Sequence, residues 1–144
     1  MKKNIITSIF FFGIILGCSR TPKSLEYGSE GCHYCKMTIV DKQHASQFMT
    51  KKGRTYAFDA TECMLNHLKE IYPETVDLFL VNDYNDPGNM IDATKATFLI
   101  SRNIPSPMGE YLSAFATEEA AKKVQVEHGG ELFSWTEINT RFNQ

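Results

Sequence analysis

Gly53-Arg54-Thr55-Tyr56-Ala57-Phe58-Asp59-Ala60-Thr61-Glu62-Cys63-Met64-Leu65-Asn66-His67-Leu68-Lys69-Glu70-Ile71-Tyr72-Pro73 spells a strand followed by a helix in one stretch. Gly53 leads into Arg54 to Phe58, where Thr, Tyr and Phe favour a short strand. Asp59 to Thr61 offers helix-capping residues. From Thr61 to Tyr72 the apolar residues Met64, Leu65, Leu68, Ile71 and Tyr72 recur at helical spacing, and Pro73 ends the run.

Outward from this stretch the same alternation continues. Upstream, Lys36 to Asp41 predicts a strand that His44 to Thr50 can pair with. Downstream, Val76 to Val81 is a β-rich apolar run, and Asn82 to Asn89, with Asp86-Pro87-Gly88, reads as a turn-rich break. A second set follows: a strand at Ala96 to Ser101, a Pro-containing loop at Asn103 to Gly109, and a strand at Glu110 to Ala116. Thr117 then caps a helix running to His128, with Glu118 and Glu119 in its first turn and Gly129-Gly130 stopping it. Glu131 to Trp135 predicts a short strand and Thr136 to Phe142 a terminal helix. Both halves read strand, strand, helix, strand. The expected fold is α+β, a duplicated pair of ββαβ units at about 31–82 and 91–138 within a domain spanning 31–144.

The chain has 144 residues, which allows one compact domain or two very small ones. Its 42% hydrophobic and 22% charged residues exclude wholesale disorder. A net charge of -2 argues against a nucleic-acid partner held by a basic surface. No G-x-S-x-G, Gly-rich phosphate loop or paired-carboxylate signature is present, so no enzymatic activity is expected.

Residues 1–17 read as an address. Lys2 and Lys3 precede an apolar run from Ile5 to Leu16, too short to span a bilayer comfortably. The run ends in Ile15-Leu16-Gly17-Cys18, which resembles a bacterial lipobox with Cys18 as the lipidated residue. A plain secretory peptide cleaved nearby is the alternative. Residues 18–30 then form the lipidated Cys and a tether, and several acyl chains on one Cys anchor a protein firmly. Ser19, in place of an Asp retention signal, favours the outer membrane on the periplasmic side.

Outside the cytoplasm a bare Cys pair tends to oxidise. With Cys18 carrying lipid, Cys32, Cys35 and Cys63 remain, an odd number that leaves a thiol over unless a metal holds them. Gly31-Cys32-His33-Tyr34-Cys35-Lys36-Met37 is the chemical centre of the sequence. A C-x-x-C turn aims two sulfurs at one point, suiting a metal or a redox disulfide. The nearby Met37 favours a soft ion such as Cu(I), although a Met here also fits a core, and His33 fits a solvated turn. Cys63 and His67 sit four apart on the expected helix, about 40° apart around its axis. Cys32, Cys35, Cys63 and His67 therefore also fit a four-ligand Zn2+ site. Met108, between Pro107 and Gly109, is a candidate distal thioether or a cover over apolar surface. His44, Met49, Met90 and His128 show no partner pattern.

Taken in order, the lipobox, Cys-x-x-Cys-x-Met, Tyr56-Ala57-Phe58-Asp59, Ser106-Pro107-Met108-Gly109, Ala114-Phe115 and His128-Gly129-Gly130 resemble the NosL family of nitrous oxide reductase accessory lipoproteins, over about Gly31 to Ile138. The resemblance implies a periplasm-facing lipoprotein that binds Cu(I) and passes it to nitrous oxide reductase. It also implies a pair of ββαβ units similar to part of organomercurial lyase. The family's copper ligands fall on Cys35, Met37 and Met108 here. Lys36 stands where the family has Gly, and Cys32 and Cys63 are extra thiols. The Phe58-to-Leu68 stretch also resembles small heavy-metal-binding domains of the YHS and TRASH type. Three functions follow as expectations. The first is a copper carrier, whose client would attack while a neutral thioether leaves; exposed soft ligands would also let two chains share an ion as a homodimer. The second is a structural zinc module for protein interaction. The third is a thiol oxidoreductase, disfavoured because its C-x-x-C would need to open a helix.

Overall fold

The computed structural model describes residues 21–144. The expected signal peptide and Cys18 lie outside the described residues. Two antiparallel sheets and three helices make up the α+β fold. The first sheet is built from β1 (Ser46–Thr50), β2 (Thr55–Phe58), β3 (Val76–Asp83) and β4 (Asp86–Asp92), in the order β2-β1-β3-β4. The second holds β5 (Thr97–Ile100), β6 (Leu112–Phe115) and β7 (Glu131–Phe133), in the order β6-β5-β7. In each sheet the first strand lies between the second and the one that follows a helix. The helices are α1 (Thr61–Leu68), α2 (Glu118–His128) and α3 (Trp135–Phe142).

The helix ends follow local chemistry, with one exception. The Thr117 side chain accepts from the Ala120 amide at 3.2 Å and caps α2. Ser134 and Glu137 form a reciprocal capping box, which starts α3 one residue earlier than expected and shortens β7. α1 differs: its N-cap is Ala60, with no side-chain bond. Its first turn is stitched to the first sheet instead, with Ser46 Oγ donating to the Ala60 carbonyl at 3.1 Å. α1 also stops at Leu68 rather than Tyr72. The Lys69 and Glu70 amides turn back to Asn66 and His67 at 3.2 and 3.0 Å, a tightened final turn that releases Ile71 and Tyr72.

Two further sequence expectations are corrected. Lys36 to Asp41 forms no strand beyond a single bridge, Gly31 to Thr38. The backbone of Lys36 is left-handed (φ 67°), which folds this segment back on residues 28–32. The Cys32 amide bonds the Met37 carbonyl at 2.7 Å, and the Ile39 amide bonds Glu30 at 2.8 Å. β1 therefore pairs with β2 and β3, and Phe48 lies opposite both Tyr56 and Phe79. The second correction is Asn82 to Asn89, which is a hairpin rather than a break: Asn82 and Asp83 finish β3, Tyr84 and Asn85 turn, and Asp86 begins β4. Pro87 is tolerated because β4 is an edge strand, where a missing amide costs no ladder bond.

The sheets share one main core, in which Phe48, Phe58, Met64, Leu65 and Val81 meet Phe98, Leu112 and Ile138. A smaller cluster under α2 gathers Leu99, Ile104, Phe115, Ala121 and Val124. Polar ties join the halves. The Tyr84 amide reaches the Ala114 carbonyl at 2.8 Å. Buried His44 bridges Asp41 (2.9 Å) and Ser113 (3.2 Å). Among the described residues no helix is long and apolar enough to cross a membrane.

Candidate metal centre

The loop from Cys32 to Met37 is closed by two backbone bonds, Cys32 amide to Met37 carbonyl (2.7 Å) and Lys36 amide to Cys32 carbonyl (3.1 Å). Lys36 occupies the left-handed position that glycine adopts without strain. Its Nζ donates to the His33 carbonyl, holding the turn from outside. The loop presents both sulfurs to one side, and the Cys35 amide approaches Cys32 Sγ at 3.5 Å. It opens no helix, unlike the active site of a thiol oxidoreductase.

Cys63, in the first turn of α1, supplies the third sulfur. The three Sγ atoms lie within 4.8 Å of one another, and all three thiols are free. Cys32 and Cys63 are buried while Cys35 is half-buried, so the cluster opens to solvent on the Cys35 side. Three soft donors at this separation can close around one soft ion with small side-chain movements.

The cluster is electrostatically asymmetric. The Cys63 thiol, bonding to Cys32, together with the Asp59 and Cys35 amides, outweighs burial and lowers the Cys32 pKa to about 4. Cys63 is pushed far up, first because it gives its proton toward Cys32 and then by burial. Burial also raises Cys35. The metal-free cluster thus carries one negative charge shared by hydrogen bonds, at the positively polarised start of α1. The reduced, metal-free protein should therefore keep the ultraviolet absorbance of a thiolate at neutral pH and lose it only on acidification toward about pH 4. The folded value lies below that of an unfolded thiol, about 8.5. Stability from Cys32 is thus complete above the unfolded value and lost as pH falls through about 4. A spectrum without thiolate until the ordinary thiol range would contradict this arrangement.

His67 does not converge with the thiols. Its ring stacks 6.0 Å from Phe48 and stands 4.9 Å from His33, and its Nδ1 lies 3.4 Å from Glu70. His33, edge-on to Tyr56 with ring centroids 4.6 Å apart, joins this aromatic wall. Its pKa is lowered by burial and then by the charges of His67, Lys36 and Arg54. Met37 is 57% exposed, and its carbonyl closes the Cys32 loop. Met108 is half-buried and packs against the core that contains Cys32 and Cys63.

Sequence reasoning gave Asp59 only a capping role and passed over the pair Glu62–Ser106. Asp59 is buried beside Cys32, and burial, then the Cys32 charge, raises its pKa. Glu62 is fully buried and accepts a hydrogen bond from Ser106. An acid in the first turn of a helix ordinarily reads as a solvated partner of the helix dipole, so only packing distinguishes this one.

The comparisons with known proteins agree with this architecture. The Copper-binding lipoprotein NosL of Stutzerimonas stutzeri is 29% identical over 150 residues, covering 94% of this chain and 78% of that protein. The crystal structure of the copper chaperone NosL from Shewanella denitrificans superposes with a TM-score of 0.65 at 23% identity, covering 81% of this chain and 96% of that one. Both relatives are named for binding or carrying copper, not for catalysis. Residues 23–142, nearly the whole described chain, match the NosL family, to which this protein belongs.

Proposed function

We propose that this protein is a lipid-anchored Cu(I) carrier that faces the periplasm and hands copper to a client enzyme, nitrous oxide reductase. The observation that carries the reading is the convergence of three free sulfurs within 4.8 Å, one of them at the surface. Cys35 is the anchoring sulfur, which gives up its proton when it binds the ion, Met37 and Met108 are neutral thioether ligands, and Cys32 and Cys63 are a buried thiolate–thiol pair held in reserve. Thioethers bind Cu(I) without deprotonation and leave readily, as transfer by ligand exchange requires. Cys18 carries the lipid, which keeps the carrier at the outer membrane.

The local charge refines the partner. The chain is acidic overall, yet Lys36 and Arg54 lie near His33 at the rim of the cluster, whose own thiolate is negative. Arg54 lies over Tyr56 at 4.7 Å, against the same aromatic wall. A client with acidic groups placed to meet Lys36 and Arg54 would be favoured at this rim.

The three thiols also favour a second reading, a zinc-binding interaction module. Offering equal Cu(I) and Zn(II) to the reduced full-length chain in detergent, with a calibrated Cu(I) chelator present, separates the two. Copper retained at one per chain with zinc displaced is the expected result. Zinc retained and copper left on the chelator would replace the carrier with the zinc module.

A further inference from the structure

Glu62 is 0% exposed, an unusual position for a carboxylate, and sits next to Cys63 on α1. Its Oε1 accepts a hydrogen bond from Ser106 Oγ, while its Oε2 has no partner. Ser106 in turn accepts from the Tyr111 amide at 2.9 Å. The Gly109 amide closes the turn onto the Ser106 carbonyl at 3.0 Å. Gly109 (φ 77°) and Tyr111 (φ 62°) both take left-handed backbone, and for Tyr111 that conformation is strained. Met108 lies inside this knotted turn, which belongs to the half of the chain that holds β5 to β7. The side chain that ties Ser106 to α1 is Glu62.

Burying a carboxylate with an orphaned oxygen costs stability that an apolar residue of similar size would not. Here it ties the loop bearing Met108, which packs against the core that holds Cys32 and Cys63, to the helix bearing Cys63. We infer that Glu62 is a positioning residue for metal binding: by gripping Ser106 it sets the Met108 loop against the thiol cluster, so that a thioether from one half meets sulfurs from the other. The inference rests on the ligand set proposed above, in which Met108 binds copper. Glu62 touches no metal in this arrangement and acts through Ser106.

A thermodynamic cycle on the full-length reduced chain tests it. Cu(I) affinity is measured by chelator competition for the parent, Met108→Leu, Glu62→Leu, Ser106→Ala and the Met108→Leu/Glu62→Leu double variant. Met108→Leu is expected to weaken binding, and Glu62→Leu and Ser106→Ala to weaken it by about tenfold, the scale of a lost supporting partner. The double variant should be no weaker than Met108→Leu, because the loop then has no ligand left to place. Glu62→Gln keeps an acceptor for Ser106 and should recover most of the loss. X-ray absorption at the copper edge should show one sulfur fewer in Glu62→Leu. Multiplying effects in the double variant, or an unchanged sulfur count, would reduce Glu62 to a structural residue and overturn the inference while leaving Met108 a ligand. Unchanged affinity in Met108→Leu would overturn the ligand set and the inference with it. Should Glu62→Leu fail to fold, Ser106→Ala breaks the same bond from the other side and enters the cycle in its place.

Discussion

Cys35→Ser should weaken Cu(I) binding by more than about 100-fold, since loss of a mere supporting partner already costs about 10–100-fold. A serine hydroxyl is a hard, neutral donor and cannot replace a thiolate toward a soft ion. Cys35 is only half-buried, so the exchange disturbs little packing, and the fold should survive. Cys63→Ala, which leaves no donor where serine would keep one, should act differently. Cys63 is buried, and its thiol is the strongest support of the Cys32 thiolate. Its loss should therefore also move the acid titration of Cys32 upward from about 4. Chelator competition and thiolate absorbance, read on the same samples, check both results. Cys35→Ser with parental affinity would shift the anchor to the buried pair.

Gly130→Ala should destabilise the protein by about 3–5 kcal/mol, through overpacking and backbone strain together. A Cβ at this position would lie 2.2 Å from the Ile100 carbonyl oxygen and 3.0 Å from Ser101 Cα, against backbone that cannot swing away. The residue also has φ 107°, which alanine rarely adopts. Gly130 lets β7 start flush against β5, where Glu131 pairs with Ile100. Gly129→Ala is the control: its φ is 69°, but nothing lies within 4 Å of an added Cβ, so only strain is expected. Urea unfolding of the two variants measures the difference. Equal losses would mean that the approach to Ile100 yields easily.

Much of the architecture is legible along the chain because its causes are local. The β2-to-α1 stretch declares itself through a β-rich run, small residues and a helical stripe within twenty residues of Gly53. α2 begins and ends where Thr117 and Gly129 place it, since a cap and a left-handed stop act on their immediate neighbours. The pairing of soft donors in Cys32 to Met37 points to metal chemistry for the same reason: their separation is set by a single turn.

Everything that depends on two distant segments meeting needed the folded molecule. Lys36 to Asp41 alternates like a strand, but the left-handed Lys36 and the bond from Cys32 to Met37 commit it to a loop. Asp86-Pro87-Gly88 looks like a break, yet it becomes a strand because it falls on a sheet edge. His67 shares helical spacing with Cys63, but the aromatic rings of Phe48 and Tyr56 claim it. Residue type and spacing told that Cys32, Cys35 and Cys63 were apt for a soft metal. That Cys63 reaches the Cys32 loop, and that Glu62 grips Ser106 across the two halves, follows from how α1 packs between the sheets. Short-range hydrogen bonds are encoded in neighbouring residues, whereas burial and convergence arise only when the whole core closes.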